Sequence, residues 1–159
     1  MAKKRSKKIS FGVDKLLYCV AALLAVVAIC MVFAPALLVD PGLLAAQFKG
    51  TEVLFGLENY FAFSFLNLLT YLFAIAGLVF VLLKLVGAKS KVFDLLGAGL
   101  LIAAGVMFFM TGVFAAPIGS YATVYQNSAI SLLAGPILAG IFSLLAGAGV
   151  LCFALFKRK

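Results

Sequence analysis

Three stretches of this chain carry no ionised side chain: Leu16 to Val39, Asn59 to Leu83, and Leu95 to Phe156. A bilayer core takes roughly twenty helical residues to cross, so the third stretch is long enough for two crossings. The punctuation between apolar runs predicts four helices, over about 15–38, 60–86, 91–116 and 128–156. Pro35 should weaken the last turn of the first helix. Asp40, Pro41 and Gly42 then form a turn signal that opens a first outer loop over 39–59.

Within that loop two pieces compete. Leu43, Leu44, Gln47 and Phe48 suit a turn or two of interfacial helix, while Thr51 to Phe55, bracketed by Gly50 and Gly56, has the β-branched and apolar content of a short strand. The pattern alone does not choose between them. Gly87 is placed to close the second helix and Ser90 to cap the third, which makes a tight antiparallel hairpin. Asp14 and Asp94 fall in first turns, where the helix dipole favours an anion. Pro117 and Gly119 end the third helix and begin a second outer loop over 117–127, with Tyr121, Tyr125, Gln126 and Asn127. Pro136 permits a kink in the fourth helix.

Charge turns this pattern into a topology. Of the 13 basic residues, only Lys49 lies outside three clusters. These are Lys3, Lys4, Arg5, Lys7, Lys8 and Lys15; Lys84, Lys89 and Lys91; and Lys157, Arg158 and Lys159. Short loops rich in Lys and Arg stay on the cytoplasmic side, so both termini and the hairpin turn belong inside and the crossings are even in number. Residues 1–13 form a basic tail attracted to anionic lipid. With 66% hydrophobic residues, 11% charged residues and a mean hydropathy of +1.25, the fold class is an all-α integral membrane protein. The expected architecture is a four-helix antiparallel bundle in the plasma membrane. The net charge of +8 is accounted for by the flanks of the spans, and no base-reading module accompanies it, so no nucleic-acid partner is expected.

The basic head, apolar run and Ala34-Pro35-Ala36 triplet also have the outline of a signal peptide. A signal h-region runs about 7–15 residues, however, and this run is longer, which predicts a retained anchor. Ile29 stands before Cys30 where lipoprotein processing needs a small residue. Cys19, Cys30 and Cys152 all lie within apolar runs as small hydrophobes. The chain has no His, so neither a zinc or haem site nor a Ser/His/Asp triad can be assembled. No cofactor and no enzymatic activity are expected, and Glu52 and Glu58 are read as solvated loop residues.

Two patterned features remain. Gly135, Ala139, Ser143 and Gly147, four apart on one face of the fourth helix, form a small-residue ridge suited to close backbone approach. Gly97 and Gly105 on the third helix and Ala21, Ala25 and Ala28 on the first offer similar surfaces, and such ridges serve either to pack the bundle itself or to meet a second copy or partner. Ser64, Asn67, Thr70 and Tyr71 form a polar stripe on the second helix. Asn67 would be costly facing lipid and should point into the bundle. It serves there either as interhelical glue or, joined by Tyr60, Thr111 and Tyr121, as the wall of a polar path.

The layout of four helices with both termini inside, a longer first outer loop and a tight inner turn resembles claudin-like membrane proteins. The chain departs from their signature in having no Trp and no loop Cys, so neither a barrier function nor a loop sheet is carried over. The expected role is a non-enzymatic scaffold or accessory subunit that meets a second copy or another membrane protein through the fourth-helix ridge or the first outer loop. A small transporter or channel element using the Asn67 stripe is the alternative.

Overall fold

A computed structural model of the chain describes residues 12–42, 45–88 and 90–156. Expectations resting on 1–11, Leu43, Leu44, Lys89 and 157–159, and on the side chain of Asp14, lie outside the described residues. Among the described residues four helices are long and apolar enough to cross a membrane. They are α1 (Val13–Cys30, extended by a 3-10 turn at Met31–Phe33), α3 (Phe65–Val86), α4 (Lys91–Phe109) and α7 (Ala134–Phe156). At 1.5 Å per residue the shortest span, of 19 residues, is about 28 Å long and matches the hydrocarbon core. The helices pack as a ring in which α4 lies between α3 and α7, and α1 closes the circle against both.

The ends of these helices differ from the sequence expectation, and one cause underlies most of the differences. The protein is mostly helical, at 73%, but it also holds a three-stranded antiparallel sheet in the order β2-β1-β3. Strand β1 (Pro35–Asp40) replaces the expected end of the first helix and the first residues of the outer loop, and β3 (Ala129–Leu132) replaces the expected start of the fourth helix. An apolar run of four to six residues fits either a buried strand or a helix turn, and here sheet pairing decides. Leu37 faces Leu132 and Asp40 faces Ala129 across the ladder. On its other side β1 pairs with β2 (Ala46–Lys49). Ala36, Leu37 and Val39 are buried, as befits a central strand covered on both faces. The turn at Asp40–Gly42 forms as expected, with the Gly42 N–H donating to Asp40 Oδ1 at 2.8 Å and Gly42 at φ +94°.

The expected strand at Thr51–Phe55 is instead a short helix, α2 (Gly50–Phe55). Glu52 Oε2 accepts from the Lys49 N–H at 2.8 Å, the carboxylate half of a capping arrangement that outweighs the β-branched residues. Gly50 is needed there because a Cβ would lie 2.6 Å from the Val32 carbonyl oxygen. A tight turn at Leu57–Phe61 follows, and Phe61 bridges to Pro117. The Ala62 N–H donates to Ala116 O at 2.8 Å. The two expected outer loops are therefore sewn together into one cap. It also includes α5 (Thr111–Phe114) and α6 (Gly119–Asn127). Pro136 falls in the first turn of α7 and replaces an N–H that would have no partner, so it is not the source of a mid-helix kink.

At the opposite end, Gly87 closes α3 at φ +111° and Ser90 Oγ accepts from the Val92 N–H. The hairpin is locked by a buried polar cluster that joins three helices. Lys84 Nζ lies 2.9 Å from Asp94 Oδ2, and the Tyr18 hydroxyl donates to Asp94 Oδ1 at 2.7 Å. Asp94 is only 5% exposed, so its charge depends on these two partners. Lys84→Met alone is expected to destabilise the fold by about 3 kcal/mol by stranding that charge. Lys84→Met with Asp94→Leu should recover most of the loss, read as the unfolding midpoint in detergent.

Candidate functional site

The polar stripe gathers where α4 breaks. At Met110 the helix tightens, its N–H turning to Met107 O at 2.9 Å, and α5 continues after the step. Such a break frees carbonyl groups, and in a bilayer each must find a donor within the protein. Thr111 Oγ1 donates to Phe108 O at 2.7 Å, Ser64 Oγ donates to Phe114 O at 2.6 Å, and Asn67 Nδ2 donates to Thr111 O across a longer 3.4 Å. Ser64 Oγ also accepts from the Asn67 N–H, which makes it the N-cap of α3. Thr70 Oγ1 donates to Leu66 O within its own helix, and Tyr71 packs edge-on against Phe108 at 5.0 Å. Asn67 and Thr70 are 2% and 1% exposed. Ser64 and Asn67 thereby tie the start of α3 to the segment after the break, while Thr70 bonds within its own helix. Thr111 is among the residues expected beside the stripe, and the sequence signal for the break itself is the helix-weakening Gly112 that follows it.

Tyr60 and Tyr121, the other residues expected beside this stripe, lie in the cap instead. Their rings meet at 5.0 Å within an aromatic cluster with Phe48, Phe61 and Tyr125. The Tyr125 hydroxyl donates to Gly112 O at 2.6 Å. Burial, followed by neighbouring Tyr121, pushes that phenol up to about 12, so it remains a donor at physiological pH. Burial and then Tyr60 also raise the Tyr121 phenol. Its hydroxyl oxygen is enclosed without a hydrogen-bond partner among the described residues.

The small-residue ridge faces inward along its whole length. A Cβ at Gly135 would meet Pro35 O at 2.7 Å, and one at Gly147 would meet Ala98 O at 2.9 Å and Ile102 Cγ1 at 2.8 Å. Ala139 and Ser143 are fully buried, and Ser143 Oγ donates to Leu101 O at 2.7 Å. The facing helix contributes Gly105, where a Cβ would fall 2.6 Å from Leu144 Cγ. The ridge therefore binds α7 to α4 and to the start of β1. All four ridge positions are taken up by contacts within the bundle.

Among the described residues no group of three or more His, Cys, Asp or Glu side chains is placed to hold a metal ion. Cys30 and Cys152 are exposed on the bundle and Cys19 is half-buried. The chain matches no protein-family model, no curated protein and no solved structure, so the claudin-like layout remains a likeness of arrangement.

Gly147→Leu should weaken the α4–α7 contact by about 3 kcal/mol through overpacking. Gly149→Leu, at a site where a Cβ meets nothing within 4 Å, should leave the thermal unfolding curve nearly unchanged. Asn67→Leu is expected to cost about 1–2 kcal/mol by leaving the Thr111 carbonyl unpaired, measured in the same assay.

Proposed function

We propose that this protein is a non-enzymatic integral membrane protein of the cell membrane that acts as a scaffold or accessory subunit through its cap. Both termini and the Lys84–Lys91 turn lie on the cytoplasmic side and the cap lies outside, an orientation supported by the distribution of Lys and Arg. The observation that carries the role is the use made of the polar and small residues within the spans. Ser64, Asn67, Ser143, Tyr18, Lys84 and Asp94 each hold one part of the bundle to another, and Thr70 and Thr111 satisfy carbonyls of the preceding turn. What stands free for recognition is the polar upper surface of the cap, where Asp40, Glu58, Asn59, Tyr60, Ser120 and Gln126 are exposed. A second copy of the chain or another membrane protein meets this surface. The mutual support of the two loops keeps it rigid, which lowers the ordering cost of binding.

Two measurements test this reading. Ser90→Cys should react with an impermeant thiol reagent only from the cytoplasmic side, and Asn127→Cys only from outside. The opposite pattern would invert the orientation. Purified in lipid discs, the protein should run as a defined oligomer or with a recurrent partner, and the cap variants Glu58→Arg or Ser120→Arg should weaken that assembly while the fold persists. A partner-free monomer in native membrane extracts would overturn the role.

A further inference from the structure

The step in α4 leaves a groove of about 420 Å³ between α5, α6 and β3, lined by Phe109, Gly112, Val113, Tyr125, Ile130 and Leu132 with Gln126 at its rim. We infer that this groove seats one acyl chain of a membrane phospholipid, held beside the cap at the level where the spanning part of α4 ends.

Three observations point to that occupant. The lining contains no charged residue, and its polar members do not compete for an apolar guest. The Tyr125 hydroxyl is already committed to Gly112 O, so the tyrosine offers the groove its ring. Gln126 is exposed on the cap side, where an uncharged amide can meet ester or headgroup oxygens. Second, the groove is continuous with the bilayer-facing side of the bundle. Phe109 is the last residue of the span, and Val106, Met110 and Val113, at spacings of four and three, are 50%, 45% and 77% exposed. These side chains make an apolar track that leads from the last turn of the span to the groove mouth. Third, the size selects a chain over a helix. A volume of 420 Å³ holds about one turn of a partner helix 10 Å across, too little for a stable helix contact, whereas a single file of methylenes fills it along its length. At Gly112 a Cβ would make ordinary contact with Ile130 Cγ2 and Leu37 Cδ2 at 3.5 Å, so a longer side chain there would narrow the seat.

The inference requires that α4 span a bilayer but does not depend on the scaffold role. Protein in discs containing a phospholipid with a diazirine on the upper part of one chain is irradiated and the adducts are mapped. Labelling on Val113, Ile130 and Leu132 should exceed that on Phe63 and Phe65, which are exposed at the same end of α3, by several fold. Ile130→Trp and Val113→Trp, each checked for an unchanged melting curve, should bring it down to the level of those controls. Uniform labelling would reduce the groove to ordinary lipid contact and overturn the proposal. Cross-links joining Val113 or Ile130 to a second polypeptide would overturn it in favour of a protein occupant. Failure of the Ser90 and Asn127 labelling pattern would touch the orientation alone.

Discussion

The close approach of the α4 and α7 backbones is the contact on which the rest of the structure depends. In hydrocarbon there is little gain from burying one apolar side chain against another, because lipid tails solvate both equally well. What holds helices together is dense packing and the few hydrogen bonds that can be made across the contact. Gly105, Gly140 and Gly147 remove side chains at the crossing, and Ser143 uses the closeness to reach the Leu101 carbonyl. With that pair in place, α3 packs on the far side of α4 through Gly77 and Gly97, and α1 closes the ring with Ala21, Ala25 and Ala28, all buried. Small residues thus appear on each contact face, while leucines, valines and isoleucines such as Leu23, Val79 and Leu145 are turned outward. This inverts the usual arrangement of a water-soluble bundle.

The cap answers a different demand. Each helix that leaves the hydrocarbon exposes carbonyls that have lost their helical partners, and at the capped end the chain emerges or re-enters four times. The sheet, the Phe61–Pro117 bridge and the side chains of Ser64, Asn67 and Thr111 satisfy those groups collectively. Among the described residues the opposite end holds a short turn between two helices, joined by one buried ion pair with a tyrosine. The asymmetry of the molecule follows from the length of chain that must be accommodated at each end.

How much of this could be read from the sequence depended on whether a feature is local. The spans, the Gly87 and Ser90 ends of the hairpin and the Asp40–Gly42 turn are set by nearby residues and were legible. The inward orientation of Asn67 followed from the cost of an amide in lipid, although its partner did not, since that partner is a backbone carbonyl freed by a break 44 residues away. Strands β1 and β3 were hidden for the same reason. Leu37, Leu38 and Val39 continue an apolar helix plausibly until residues near 130 are brought beside them. The ridge on α7 was visible as a ridge, but spacing alone does not tell which surface it meets. Glu52 reads as a solvated loop residue because the pattern over Thr51 to Phe55 gives no sign of the short helix whose first turn its carboxylate closes.

The place of β1 in the middle of the sheet has a consequence for how the chain is made. One neighbour, β2, follows within a few residues, but the other, β3, is encoded about ninety residues later, after two complete spans. At about 5–20 residues per second of translation, one edge of β1 stays open for roughly 5–18 s while the ribosome and the insertion machinery deliver the remaining helices. During that interval a strand rich in Leu and Val waits at the bilayer surface with unpaired backbone groups, the kind of edge that invites pairing with another chain. Biogenesis of this protein therefore has a vulnerable window that closes only when the start of the last helix has been placed.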